Sequence, residues 1–122
     1  MKTVLLDVYN EKVEVIDIDD ELDAFYEKLD CNCIDIVTRR IDGMEFDIMC
    51  DDEGLFHDPR KLSAINDMGE PMLVGNLMFF HHDDEGDLVG LTDEAVEFIQ
   101  DHIQTMYTGL YPQGYPMLTQ CA

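Results

Sequence analysis

The sequence predicts an α+β fold, with a mixed, mainly antiparallel sheet of about five strands and two principal helices on one face. Three observations predict it: short runs rich in Val, Ile and Leu, an Asp-Gly hairpin signal, and two amphipathic segments. The chain has 122 residues, which suits a single domain with one core. Its hydrophobic content of 46% excludes a disordered acidic chain.

The strands are predicted from runs of apolar residues and from turn chemistry. Residues 3–8 and 13–18 form an opening hairpin, and Asp42-Gly43 joins a second hairpin of residues 34–41 and 44–50. Residues 44–50 alternate, which predicts one buried face and one wet, acidic face carrying Glu45 and Asp47. Residues 72–80 are expected to form a single central strand. A short helix is expected from Pro59 to about Asn66.

Two longer helices are predicted from apolar residues at helical spacing. Asp19 or Asp20 is expected to cap the first helix, and Thr92-Asp93-Glu94 to open the second. The predicted buried stripes are Leu22, Phe25, Tyr26 and Leu29 in the first, and Val96, Ile99, Ile103 and Met106 in the second. We therefore assign residues 1–107 to a single acidic domain.

The character of the chain changes after Tyr107. Residues 108–122 contain Tyr, Pro and Gly and carry no charged side chain. They form either a frayed C-terminal tail or a segment docked on the domain by Tyr111, Tyr115 and Leu118.

Charge is the unusual property of this chain. It has 28 Asp and Glu against 7 Lys and Arg, a formal net charge of −21, whereas a small soluble domain carries a magnitude of about 2–8. Such a field repels nucleic acid and anionic membranes and attracts basic protein surfaces. We expect a cytoplasmic protein, because the sequence shows no signal peptide and no membrane span, and its four cysteines suit a reducing compartment.

Two clusters of residues are candidate metal sites. His81, His82 and Asp83 open an acidic loop whose spacing matches no known metal-binding loop, so a solvated turn is favoured and metal binding stays open. Cys31 and Cys33 lack the second ligand pair that structural zinc requires. No cofactor fingerprint or catalytic motif is present, so we expect neither a cofactor nor an enzyme.

Regularly spaced carboxylates are the candidate binding residues. On a helix they recur about every 5–6 Å. Phosphates along a DNA strand rise about 3.4 Å axially, and their direct separation is somewhat larger. Any amphipathic helix places charges at the same spacing, so the spacing alone favours an ordinary solvent-exposed face. Together with the net charge of −21, it makes phosphate mimicry an equally good interpretation. The candidates are Asp20, Asp23, Glu27 and Asp30 on the first helix, Glu45 and Asp47 on the hairpin, and Asp93, Glu94, Glu97 and Asp101 on the second helix.

Several segments resemble a known family. They are "DDEGL" at 51–55, "PMLVGNLMFF" at 71–80 and "GDLVGLTDEAVEFI" at 86–99. In this order they resemble a bacterial family of unknown function, numbered 3846, found on phages and conjugative elements. The resemblance covers about residues 1–105 and departs at residues 57–61, where family members carry a Leu-Pro-x-Asn-like stretch. It supplies no catalytic residues and implies a mobile-element context beside antirestriction proteins.

These observations lead to one functional expectation with two alternatives. We expect a non-catalytic DNA mimic that binds a basic surface, the nucleic-acid channel of a host restriction or CRISPR nuclease. One alternative is a module that sequesters a nucleotide signal near Gly75-Asn76, with a possible Arg39-Arg40-Arg60 patch. The other is an acidic accessory domain that binds a basic partner. A homodimer is possible through an edge strand or the Tyr-rich segment.

Overall fold

The computed structural model describes residues 1–53 and 61–122, which form two sheets and two helices. Sheet A contains β1 (Lys2–Asp7), β2 (Lys12–Asp17), β3 (Ile34–Ile41), β4 (Met44–Asp51), β7 (Leu77–His82) and β8 (Leu88–Val89). Sheet B contains β5 (Leu62–Ile65), β6 (Pro71–Val74), β9 (Ile103–Met106) and β10 (Tyr115–Leu118). The helices are α1 (Leu22–Leu29) and α2 (Asp93–Asp101).

The strand order places β7 at the centre of sheet A. Sheet A runs β2-β1-β7-β4-β3, with β8 also paired to β7, and sheet B runs β6-β5-β10-β9. Neighbouring strands are antiparallel except β10 and β5, which pair in parallel through Leu118 and Ala64. The predicted α+β class with a mixed, mainly antiparallel arrangement is confirmed. The described residues nevertheless hold ten strands in two sheets rather than one sheet of about five.

The two helices lie on opposite faces of sheet A, so the prediction that they share a face is not met. Phe25 and Leu29 of α1 pack with Leu5, Met49 and Met78 of sheet A in what we call the α1-side core. The α2-side core lies on the other face, and sheet B closes it. Its members include Val4, Leu6, Ile48 and Phe79 of sheet A, Ala95, Val96 and Ile99 of α2, and Ala64, Met117 and Leu118 of sheet B.

Because α1 covers one face of sheet A and the α2-side core covers the other, β4 is buried on both of its faces. Phe46 and Ile48 belong to the α2-side core as predicted, but Met49 is buried in the α1-side core. Asp47 on that same face is only 6% exposed. The predicted wet, acidic face of β4 is therefore wrong over Asp47 and Met49, because β4 lies between β7 and β3 and is covered on both sides.

The predicted central strand 72–80 is two strands in different sheets. Gly75 adopts φ +79° between β6 and β7, a conformation that glycine reaches without strain. The Asn76 side chain then accepts a hydrogen bond from the backbone N–H of Val8 at 2.9 Å. This turn sends β6 to sheet B and β7 to sheet A.

Local signals were correct at some element ends and wrong at others. Asp42-Gly43 joins β3 to β4 as predicted, and Thr92 caps α2 by accepting the Ala95 N–H at 3.1 Å. Neither Asp19 nor Asp20 caps α1: the N-cap residue is Glu21, without a side-chain cap bond. The short helix predicted at 59–66 is wrong at Leu62–Ile65, which is β5, and its first residues lie outside the described part of the chain.

The second helix and the C-terminal segment also differ from expectation. Ile103 and Met106 continue the helical spacing but lie in β9, because α2 ends at Asp101. Of the two alternatives for residues 108–122, the structure has the docked segment: β10 pairs with β9 along its length and with β5 at its end. No helix in the two described stretches is long and apolar enough to cross a membrane.

Candidate acidic interaction surface

The first group of candidate carboxylates lies on α1 and at its two ends: Asp23 and Glu27 are within the helix, Asp20 precedes it and Asp30 ends it. Phe25 and Leu29 are buried, which fixes the opposite side of this helix toward solvent. Asp20, Asp23, Glu27 and Asp30 are all exposed. Within the described residues, none of the four forms an ion pair with a Lys, Arg or His side chain. These charges are therefore available to a partner.

Three further acids extend the α1 row toward the end of β4. The Asp52 N–H donates to the Cys33 carbonyl at 3.0 Å, which ties the residues after β4 to the connection that follows α1. Asp51 and Asp30 both act electrostatically on Cys31, so both carboxylates lie in the neighbourhood of this thiol. We call the combined set the α1 acidic surface: Asp20, Asp23, Glu27, Asp30, Asp51, Asp52 and Glu53. Residues 51–53 are not among the carboxylates predicted from the sequence, because they lie outside the helical and strand periodicities that identify the other candidates.

The same acids suppress thiol chemistry at the neighbouring cysteines. Burial, followed by the charge of Asp51, raises the pKa of the Cys31 thiol to about 11. Burial and nearby carboxylates raise the pKa of Cys50 to about 11, and the charge of Glu53 raises the pKa of Cys33. Since the thiolate is the reactive form, these cysteines are poor nucleophiles and poor metal ligands at neutral pH.

The second group of carboxylates lies on α2, on the other side of sheet A. Glu94, Glu97 and Asp101 are exposed and form no ion pair within the described residues. Asp93 differs, because the Lys2 ammonium binds its carboxylate. Lys2 therefore lowers the pKa of Asp93 below its usual range.

The hairpin pair does not form a carboxylate row. Glu45 is exposed and lies 3.9 Å from Arg40. Asp47 is buried and accepts a hydrogen bond from Thr38 Oγ1 at 3.1 Å. Its other oxygen lies 2.6 Å from Nδ1 of His82. Asp47 is thus a structural partner of His82, and its predicted place in a partner-binding row is wrong.

His81, His82 and Asp83 do not converge. The His81 ring stacks on Phe46 at 4.8 Å, whereas His82 binds Asp47. Asp83 Oδ1 accepts the N–H groups of Glu85 and Asp87, so it closes its own turn. Across residues 1–53 and 61–122, no three His, Cys, Asp or Glu side chains are grouped as metal ligands would be.

The His82–Asp47 pair makes stability depend on pH. The hydrogen bond and charge of Asp47 raise the pKa of His82 above 6.5 in the folded protein. The pair therefore stabilises the fold fully below pH 6.5, and this contribution is lost as pH rises through the folded-state pKa. We expect the stability difference between wild type and His82→Gln to shrink as pH rises from 6.5 through the raised folded-state pKa of His82, measured by urea unfolding. A difference that does not change with pH would contradict this.

One positive charge is withdrawn from the surface. Lys61 is 4% exposed, and its Nζ lies 3.1 Å from Glu11 and 4.3 and 4.4 Å from the ring centres of Tyr111 and Tyr115. These contacts attach the C-terminal segment to the body. Lys61 is consequently unable to offset the exposed acids. The sequence around Lys61 does not predict these contacts, because Glu11, Tyr111 and Tyr115 are distant from it in the chain.

Comparison with known proteins adds one match. The sequence model of the family described as "Domain of unknown function (DUF3846)" matches residues 1–106. The chain belongs to this family. No curated protein and no solved structure matches it. The DUF3846 match ends at the last residue of β9, so β10, which joins β5 to β9 in sheet B, lies beyond the matched residues.

The DUF3846 segments that carry the resemblance have structural roles where they are described. Asn76 holds Val8, and Gly90 lies against the backbone of Lys2, whose carbonyl accepts the Leu91 N–H at 2.8 Å. Thr92 caps α2. These residues therefore hold the fold together.

Proposed function

We propose that this protein is a non-catalytic inhibitor whose α1 acidic surface binds the basic nucleic-acid channel of a host defence nuclease in place of DNA. The observation that carries the proposal is the run of exposed carboxylates on α1, continued by residues 51–53, without an ion pair within the described residues. Under this proposal the protein acts in the cytoplasm and belongs to a phage or conjugative element.

The physical argument rests on ordered charge. Asp23 and Glu27 are one turn apart, a step of about 5–6 Å, on a helix anchored by two buried side chains, and Asp30 follows as the residue that ends the helix. A partner that neutralises DNA phosphates with Lys and Arg can contact carboxylates at comparable steps. Because the helix is already folded, little conformational entropy is lost on binding.

The α1 side is a better candidate than the α2 side. The two helices cover opposite faces of sheet A, so a single channel wall cannot contact both rows. The α1 row continues into Asp51, Asp52 and Glu53, whereas Lys2 neutralises the first acid of α2. A binding site confined to α1 is therefore the specific form of the proposal.

Two triple variants test it with equal changes in net charge. Asp23→Asn/Glu27→Gln/Asp30→Asn removes three charges from α1, and Glu94→Gln/Glu97→Gln/Asp101→Asn removes three from α2 as the matched control. The wild-type protein, immobilised, is used to capture a nuclease from host lysate, and affinity is then measured with each variant. We expect the α1 variant to bind about 10- to 100-fold more weakly and the α2 variant within about 3-fold of wild type.

Two further measurements separate DNA mimicry from other acidic binding. Duplex DNA should displace the captured protein, and affinity should fall steeply between about 50 and 200 mM salt. A captured partner that DNA does not displace would instead indicate an acidic accessory domain. Equal loss of affinity in both triple variants would reduce the effect to bulk charge and would sink the proposal.

The nucleotide-binding alternative has less support. Asn76 is buried and its side-chain oxygen already accepts the Val8 N–H, so it does not face a ligand. Arg39 and Arg40 are consecutive on β3 and point to opposite faces of sheet A. Arg60, the third member of the suggested basic patch, lies outside the described residues.

A further inference from the structure

The outer edge of β3 carries backbone groups that no strand in the described residues pairs over residues 34–39. The two-residue turn after Ile41 directs the backbone of odd-numbered residues toward β4. Even-numbered residues therefore face outward. Arg40 confirms this alternation, because its N–H and carbonyl bond Ala122 at 2.9 and 2.8 Å.

Further along this edge, neighbouring side chains occupy the outward groups. The Ile36 N–H donates to the carboxylate of Asp35 at 2.9 Å. The Thr38 carbonyl accepts from the Arg39 guanidinium at 2.9 Å. Both bonds are exposed contacts between adjacent residues, so a pairing strand can replace them at low cost.

An apolar groove lies beside the same edge. It has a volume of about 320 Å³ and runs between β3 and β6, which are the edge strands of the two sheets. Val37, Cys50 and Leu73 line it together with other apolar side chains, and three acids, Asp35, Asp51 and Asp52, also line it. Ile36, on the other face of β3, is 43% exposed. An added strand would thus cover apolar surface on both faces of β3.

We propose that a second copy of this chain occupies the edge, with two β3 strands antiparallel about a two-fold axis at Val37. The sequence of β3 is self-complementary in this register. Ile36 stands opposite the partner's Thr38, and both have outward backbone groups, so each such pair exchanges two hydrogen bonds. Asp35 stands opposite the partner's Arg39 at a closely spaced position, which gives two ion pairs per dimer.

The length of the paired stretch is set by the C-terminal residues. Ala122 already bonds Arg40, the position that would stand opposite the partner's Ile34. Pairing is therefore confined to residues 35–39 of each copy. The resulting sheet is continuous across the two copies and places both α1 helices on one of its faces, because an added antiparallel strand preserves the faces of a sheet.

The net charge gives the dimer a characteristic salt dependence. Two bodies of −21 repel at long range, and salt screens this repulsion over about 10 Å at 0.1 M. The hydrogen bonds and apolar contacts at β3 are screened little. Dimerisation should therefore strengthen as salt rises, which is the opposite of the salt dependence proposed for the basic partner.

Charge reversals at the two facing positions test the register. Asp35→Arg moves the net charge toward zero, and Arg39→Asp moves it further from zero. If bulk repulsion controlled dimerisation, Asp35→Arg would therefore lower the dimer dissociation constant and Arg39→Asp would raise it. Local pairing predicts that each single reversal raises the dimer dissociation constant about tenfold, and that Asp35→Arg/Arg39→Asp restores it to within about threefold of wild type.

Sedimentation equilibrium of the full chain measures the outcome at about 20 and about 300 mM NaCl. We expect a species of twice the 14.0 kDa chain mass that increases with protein and salt concentration. Circular dichroism spectra matching wild type would show that each variant is folded. A monomer under all conditions would overturn the proposal and would be the result if the β3 edge binds a different protein. So would single reversals that act in opposite directions, or a double variant that fails to dimerise.

Discussion

Leu118→Ala should destabilise the fold by about 2–5 kcal/mol, the usual cost of emptying a fully buried leucine site. Leu118 is 0% exposed and lies in β10, between Ala64 of β5 and Ile103 of β9. These flanking residues belong to strands that meet only through β10, so they cannot close the cavity independently. Urea unfolding followed by circular dichroism gives the free energy of unfolding.

The same chain offers a matched control for this change. Leu110→Ala removes an identical group eight residues earlier, from a side chain that is 86% exposed. We expect its free energy of unfolding to stay within about 0.5 kcal/mol of wild type. If both variants were equally stable, the C-terminal segment would not be part of the core.

Gly90→Ala should cost about 1–3 kcal/mol, because the added methyl group has no space. A Cβ at Gly90 would lie 2.6 Å from the backbone nitrogen of Lys2 and 3.2 Å from Cα of Met1. These are backbone atoms at the start of β1 and of the residue before it, so this end of the chain would have to move away. The Leu91 N–H to Lys2 carbonyl bond at 2.8 Å would be strained by the same movement.

Gly109→Ala is the control for Gly90→Ala. Nothing lies within 4 Å of a Cβ placed there, and its φ is not positive. We expect thermal unfolding of this variant at the wild-type temperature or slightly above, since alanine reduces the entropy of the unfolded chain. Equal melting temperatures for the two variants would show that the connection before α2 can retreat from β1.

Turn and capping residues correctly predicted the parts of the fold that depend on contacts between residues close in sequence. The Asp42-Gly43 turn fixed both strands of the β3–β4 hairpin and their register, and Thr92 marked the start of α2. The apolar positions Val96 and Ile99 were correctly placed in the core. In each case the signal and the contact that it predicts lie within a few residues of one another.

Features that depend on distant partners could not be predicted in the same way. The burial of Asp47 follows from its place between β3 and β7 and from His82, which is 35 positions away. Ile103 and Met106 have helical spacing, yet they form β9 because β10 is present to pair with them. The uncharged residues of β10 resembled a tail, and only their pairing shows them to be a strand.

The sequence predicted which carboxylates are exposed better than it predicted where they lie relative to one another. Nine of the ten proposed carboxylates are exposed, and Asp47 is the exception. Placing both helices on one face, as the sequence suggested, would have joined the two rows into one surface. Sheet A lies between the two helices and separates the rows, and no periodicity in either helix carries that information.

The position of β7 has a consequence for how the chain reaches its fold. The β1–β2 and β3–β4 hairpins are local and can form early. They meet only through β7, which pairs Leu5 with Met78 and Met49 with the same residue. On a ribosome, both hairpins must wait for residues 77–82 to emerge before sheet A can close. We expect slow folding in which docking of β7 onto preformed hairpins is the rate-limiting event.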